Sequence, residues 1–217
     1  MSAVLQEAVA AVFAPQGSEE WKQEKCGCAS ASEFSAILAK GQGKMRVGYL
    51  RKLVAERLTG KFIDSRAFGS WQQNLERGEE QELFARASYE IRTGHTVDQV
   101  GFIKHPSLAW LGCSPDGVVG TKRGVEIKSV IPTVQVETIL AGGYPSVHKA
   151  QIQGSLWITE RMVWDFCSFS PDMPEHLRTY IHTVERDETY IRTLEAEIRV
   201  FLAEVDELVA KLNARGK

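Results

Sequence analysis

Cysteine is scarce in this 217-residue chain, and its placement rules out the usual cysteine frameworks. Cys26 and Cys28 lack the two-residue gap of a zinc knuckle, Cys113 and Cys167 stand alone, and no histidine pair nearby completes a site. Four such residues read as reduced, partly buried thiols. Long apolar runs are missing too. Residues 3–14 are mildly apolar, but they have no basic flank and are too short to span a bilayer. A soluble, cytoplasmic protein with no membrane partner is the expectation. Net charge is small, at −2, which excludes a protein that coats nucleic acid over its whole surface but leaves room for a local basic track. Gly41-Gln42-Gly43-Lys44 is glycine-rich and basic, yet it lacks the Lys-Ser/Thr ending of a phosphate-cradling P-loop. There is no internal repeat and no low-complexity segment.

The charge that is present is divided. Lys40, Lys44, Arg46, Arg51, Lys52, Arg57, Lys61 and Arg66 stand against only Glu56 and Asp64, whereas Glu195, Glu197, Glu204, Asp206 and Glu207 crowd the last segment. With 43% hydrophobic residues, one domain with a sizeable core is expected over 1–217. Ser18 is placed to cap a turn containing Trp21, and Ser30-x-x-Glu33 fits a capping box for a helix running to Gly41. Further helices are predicted over 47–58, 65–92 and from Pro132 to the Gly142-Gly143 pair, with another from Ser146 to Thr159. Strands are expected at 98–104, 109–113, 117–119, 124–130, 162–169 and 178–184. The final helix, 187–213, carries Leu194, Ile198, Phe201, Val205, Leu208 and Leu212 at alternating gaps of four and three. That stripe reads as packing against the body of the domain, with a subunit contact as the alternative.

Chemistry concentrates between Ser114 and Lys128. Asp116 lies between Pro115 and Gly117, as a residue at a strand end or turn would. After a gap of nine residues from Asp116 come Glu126, Ile127 and Lys128 in an apolar run. Glu126 and Lys128 are two apart on a strand and share one face. Folding the hairpin brings two carboxylates and an ammonium together, a set suited to a magnesium-dependent phosphodiesterase: acidic oxygens for hard cations and a lysine to orient or activate water. The Ile127 carbonyl is placed as a further oxygen ligand. The plain alternative is a hairpin with a solvated charged face.

Several collinear blocks extend the pattern. Trp21 with Ala31-Ser32-Glu33, the segment Arg77-Gly78-x-x-x-Glu82-x-x-Ala85-Arg86, Cys113-Ser114-Pro115-Asp116-Gly117, Glu126-Ile127-Lys128, and the run from Ala150-Gln151 to Ile158-Thr159 follow one another in order. Together, over residues 18–170, they resemble the phage lambda exonuclease/YqaJ-type viral recombinase family within the PD-(D/E)xK nucleases. The resemblance implies an α/β (α+β) fold with a restriction-endonuclease-like core. A central mixed sheet is flanked by helices, the catalytic core spans about 65–170, and the C-terminal helix is long. It implies a Mg²⁺-dependent 5′→3′ exonuclease that degrades one strand of duplex DNA from a 5′-phosphorylated end, leaving a 3′ overhang.

On that resemblance, Asp116 bridges two Mg²⁺ ions (Mn²⁺ would also suit), Glu126 and the Ile127 carbonyl complete the metal site, and Lys128 acts on the water. Glu82 joins from its helix; the residues alone do not choose among Glu79, Glu80 and Glu82. Gln151 is implied to position the scissile phosphate or water, although a structural hydrogen bond would use the same groups. His148, one turn earlier, either contacts phosphate or packs. A 5′-phosphate pocket carries over to Lys25, Ser32 and Ser114, with lysine standing where the best-known relative has arginine, so the bidentate fork is lost. Leu75 falls where the family places an apolar wedge between terminal bases, or is a core leucine. The family further implies double-stranded DNA ends as substrate, a homotrimeric ring, and a single-strand annealing protein as partner. Nothing in the cysteines supports the iron–sulfur cluster that some relatives of this core carry. Rival expectations are an endonuclease on the same core, a non-catalytic DNA-binding subunit, and a metal-dependent hydrolase of small phosphates.

Overall fold

A computed structural model describes residues 14–39, 43–64 and 72–216, with side chains described from residue 81 onward in the fourth helix. The expected lead-in before residue 14, the Gly41-Gln42 pair and the start of the 65–92 helix lie outside the described residues. So does the side chain of Leu75.

Caps and glycines set the helix ends much as expected. Ser18 accepts a hydrogen bond from the Trp21 N–H and starts α1, Glu19–Lys25. Helix α3, Lys44–Thr59, stops at Gly60 with φ +65°, and α4, Gln72–Thr93, is followed by Gly94 with φ +70°. Pro132 opens α5, Pro132–Ala141. A turn of 3₁₀ helix, Ser146–His148, leads into α6, Lys149–Thr159.

Two expectations near the N-terminus and in the first strand are corrected. Ser30 does not cap a helix: it belongs to the two-residue strand β1, Ala29–Ser30, and its side chain pairs with the Ser32 hydroxyl at 3.3 Å. Helix α2 is only Phe34–Leu38, and Glu33 makes no side-chain cap. The chain here is drawn into strand pairing with β3, Leu111–Cys113, which outweighs the local capping preference. The long strand expected over 98–104 reduces to β2, Ile103–Lys104, and a single bridge from Asp98 to Val118.

Two sheets result. The smaller has the order β1-β3-β2. The larger has the order β4-β5-β6-β7, with β4 Gly117–Val119, β5 Arg123–Ser129, β6 Val163–Phe169 and β7 Thr179–Glu185. In the larger sheet only the central β5–β6 pair is parallel, and α5 and α6 lie in its crossover. Helix α6 crosses close to the N-terminal segment: a Cβ on Gly154 would lie 2.5 Å from the Phe34 ring. A mid-helix glycine costs about 1 kcal/mol against alanine, so this contact is its reason.

The C-terminal stripe packs inward. Ile191, Leu194, Ile198, Phe201, Leu202 and Val205 of α7, Glu188–Asn213, are buried, each contributing roughly 1.5–3 kcal/mol of gross burial energy. They share a cluster with Phe34, Leu53, Leu111 and Ile158. Leu208 is half-buried and Leu212 is exposed. The divided charge is used inside the fold. Both guanidinium amines of Arg46 donate to Glu204 at 2.8 Å, and Arg57 pairs with Asp206 at 2.5 Å. Two members of the expected phosphate track are therefore clamps between α3 and α7. Among the described residues no helix is long and apolar enough to cross a membrane.

Candidate active site

The site arises because β4 is shorter than β5. Pairing between them ends at Gly117 and Val125, so the peptide of Ile127 has no β4 partner. Asp116, in the bend just before β4, supplies one: the Ile127 N–H donates to Asp116 Oδ2 at 2.6 Å. Since the N–H and C=O of a strand residue leave by the same edge, the Ile127 carbonyl faces this opening too.

Alternation along β5 does the rest. Val125 and Ile127 pack with Ala85 and Tyr89 of α4, while Glu126 and Lys128 leave by the other face. Glu126 is 1% exposed, and Lys128 is 32% exposed, so the carboxylate is enclosed while the ammonium reaches the opening. Lys128 Nζ lies 2.5 Å from Glu126 Oε1. Gln151, from α6, donates to that same oxygen at 2.6 Å. Glu126 Oε2 is buried with no hydrogen-bond partner.

Burial, and then the neighbouring Glu126 charge, push the Asp116 carboxyl up to about 8, against the opposing pull of Lys128 and the Ile127 N–H. For Lys128, burial works against the charge, but Glu126 and Asp116 outweigh it and hold the ammonium above its ordinary range. Two carboxylates gathered in a poorly solvated recess, one with an orphaned oxygen, fit a bound cation. Among the described residues no group of three or more His, Cys, Asp or Glu side chains is gathered as a ligand set. Glu82 accounts for the difference. Its carboxylate pairs with Arg86 at 2.9 Å, and it acts on Asp116 and Lys128 through its charge.

His148 stacks on Phe166, ring centroids 5.5 Å apart, and burial followed by the Lys128 charge lowers its pKa. Of the other expected residues, Lys25 and Ser32 line one cavity of about 210 Å³ with Tyr49, Lys52, Glu56 and Phe62. Ser114 is joined to this group through Trp21, whose indole N–H donates to Ser114 Oγ at 3.0 Å while Lys25 Nζ lies 4.6 Å from the ring centroid.

Residues 20–162 match the YqaJ-like viral recombinase domain. The chain belongs to that family. The alkaline exonuclease LHK-Exo of Laribacter hongkongensis has a structure similar to that of this chain. The two are 32% identical with a TM-score of 0.82, covering 92% of this chain and 98% of that one. The same enzyme in complex with dAMP gives 34% identity and a TM-score of 0.83 over the same coverage. ExoD, an uncharacterised protein of Escherichia coli K12, is 28% identical over 74 residues, which is 33% of this chain and 84% of ExoD. This YqaJ-family protein is thus homologous to alkaline exonucleases and shares their fold, which makes it a nuclease.

Sequence reasoning missed Glu56 beside the cavity, and placed Lys52 only as one member of the basic stretch. A signal for Glu56 was present: it follows Tyr49 and Leu53 at helical spacing, so a lone acid sits on the buried stripe of a basic helix. It also missed the buried Asp165, which accepts from Tyr89 at 2.6 Å, from Thr183 at 2.6 Å and from Arg123, and so ties α4 to β6.

Proposed function

We propose that the protein is a Mg²⁺-dependent 5′→3′ exonuclease that degrades one strand of duplex DNA from a 5′-phosphorylated end and leaves a 3′ overhang. The observation that carries this reading is the orphaned, buried Oε2 of Glu126 beside Asp116 and Lys128. Asp116, Glu126 and the Ile127 carbonyl would hold the cations, with Glu82 contributing from α4. Two bound divalent ions supply charge neutralisation on the phosphoryl oxygens and favour ionisation of water. Lys128 steers the attacking water through its Nζ, in line with the leaving 3′ oxygen. Gln151 fixes the rotamer of Glu126 through its 2.6 Å bond and so sets where that carboxylate points. His148, kept neutral beside Lys128, offers a hydrogen bond to phosphate rather than a charge.

Lys25, Ser32 and Ser114 receive the terminal 5′-phosphate: Lys25 and Ser32 border one cavity, and Trp21 links Lys25 to Ser114. Leu75 wedges between the terminal bases. That LHK-Exo forms a complex with dAMP supports a nucleotide as ligand. Family membership also supports a trimeric ring around the duplex and hand-over of the overhang to a single-strand annealing protein. Light scattering of the purified protein tests the ring, with three copies expected.

Linear duplex DNA labelled at either the 5′ or the 3′ end, run with Mg²⁺ beside a covalently closed circle, tests the reaction. Loss from the 5′ end, survival of the circle and an inert Lys128→Ala variant are expected. Cutting of the circle would make the protein an endonuclease on the same core. Inactivity with Mg²⁺ and with Mn²⁺ would leave a DNA-binding subunit.

A further inference from the structure

Beside the cavity that holds Lys25 and Ser32 stands a second ammonium that the reaction as described does not use. Lys52 lies on α3 and borders the same cavity. Its side chain is 16% exposed, and its Nζ lies 5.2 Å from the Phe62 ring centroid. The nearest carboxylate is Glu56, whose Oε1 is 3.8 Å away, too far for a hydrogen bond. That carboxylate is already engaged by the main chain. Glu56 is 1% exposed, its Oε2 accepts from the Gly27 N–H at 2.8 Å, and its Oε1 accepts from the Ile63 N–H at 2.9 Å.

The consequence is a particular division of labour. Glu56 holds the turn that follows Lys25 and the segment that carries Phe62, while its charge keeps Lys52 beside them. The three donors of Lys52 are not consumed by either neighbour. Lys25 and Lys52 thus rest on separate aromatic rings, Trp21 and Phe62, and border one cavity of about 210 Å³.

We infer that Lys52 is a second phosphate-binding residue of this cavity, and that Lys25 and Lys52 together select a terminal phosphate monoester over an internal diester or a 5′-hydroxyl. The inference rests on the 5′-phosphate reading given above. A monoester carries about −1.5 to −2 near neutral pH, whereas a diester carries a single charge. One lysine is a point charge without the fork of arginine, so a dianion calls for a second cation. The cavity wall also bears the carboxylates Glu33, Glu56 and Asp64, which oppose any anion held by one ammonium alone.

The test compares initiation on duplexes that differ only in a 5′-phosphoryl or 5′-hydroxyl end, for wild type, Lys52→Met and Lys52→Arg. The thermal midpoint of each variant is read alongside. Wild type is expected to favour the phosphoryl end. Lys52→Met should lose roughly ten- to a hundredfold of that preference through a higher KM on phosphoryl ends alone, the scale of one charge-assisted hydrogen bond. Lys52→Arg should restore the preference, which a packing role would not require. If Lys52→Met keeps the wild-type preference, or weakens both substrates equally, Lys52 is not part of the pocket. If wild type itself shows no preference, the 5′-phosphate reading fails and the inference falls with it.

Discussion

Lys128 Nζ and Gln151 Nε2 converge on one oxygen, Glu126 Oε1, at 2.5 and 2.6 Å, and leave Glu126 Oε2 without a partner. A carboxylate held on one side and open on the other is oriented for something that binds the open side. Lys128→Met should therefore leave DNA binding intact and lower the single-turnover rate by about 10²–10⁴, the usual range for a positioned proton-handling group. Gel-shift affinity measured beside rapid-quench kinetics separates the two. Equal losses in both would make Lys128 a DNA-binding residue only.

Gln151 acts through Glu126, so its loss should be milder and of a different kind. Gln151→Ala removes one hydrogen bond to a charged group, about 1.5–3 kcal/mol. Activity should fall roughly ten- to a hundredfold, with more Mg²⁺ needed for half-maximal rate. Gln151→Glu places a carboxylate against Glu126 and should fare worse than alanine. A glutamate variant that matches wild type would remove Gln151 from the site.

Asp116 is the costly member of the set when no cation is present. Burial and the Glu126 charge both oppose its ionisation. Asp116→Asn keeps an oxygen for the Ile127 N–H and discards the charge, so in EDTA the variant should melt at the wild-type temperature or a few degrees above. About 2–4 °C per kcal/mol is the scale for a chain of this size. Wild type should gain stability from millimolar Mg²⁺ and the variant should gain little. Equal Mg²⁺ stabilisation of both proteins would place the cation elsewhere.

The site is legible in the sequence only where its chemistry is local. Asp116, Glu126 and Lys128 are legible because a turn and a strand of alternating side chains place them regardless of distant packing. The strand–helix order was legible from periodicity and from Gly60, Gly94, Pro132 and Gly142 as stops and starts. Ser30 misled because its capping-box spacing is a local preference, and pairing with β3 overrode it. The basic stretch misled because charge along a sequence does not say what lies across the fold. Arg46 and Arg57 face Glu204 and Asp206, about 150 residues later. The spacing of Glu56 marks it as a lone acid on a buried stripe, but its partners were hidden for the same reason, being backbone N–H groups that no sequence pattern advertises.

The Arg46–Glu204 clamp gives a pH-dependent stability term. The hydrogen bonds from Arg46 hold the Glu204 carboxyl below its ordinary value of 4.5. A depressed folded-state pKa means that the contribution is present above that ordinary value and is lost as pH falls through the lower folded one. Glu204 is 38% exposed, so solvent screening limits the term to about 1 kcal/mol or less. Urea midpoints at pH 6 and pH 3 should therefore differ less in Glu204→Gln than in wild type. An unchanged difference would mean that the clamp does not contribute in solution.

Glu56 should be a damaging site to truncate although it lies outside the catalytic strand. Glu56→Ala leaves the buried Gly27 N–H and the half-buried Ile63 N–H without their acceptor, and each such orphan costs up to about 1–3 kcal/mol. The expected loss is roughly 2–6 kcal/mol, read as a lower urea midpoint with an unchanged slope. Glu56→Gln keeps one oxygen for one of the two N–H groups, but its amide turns a donor toward the other, so it should recover only part of that loss. The glutamine variant also removes the charge beside Lys52 while keeping most of the packing. Its preference for phosphoryl over hydroxyl ends should therefore shift even where its stability is adequate. A Glu56→Gln protein as stable as wild type would show that the two N–H bonds carry little of the structure.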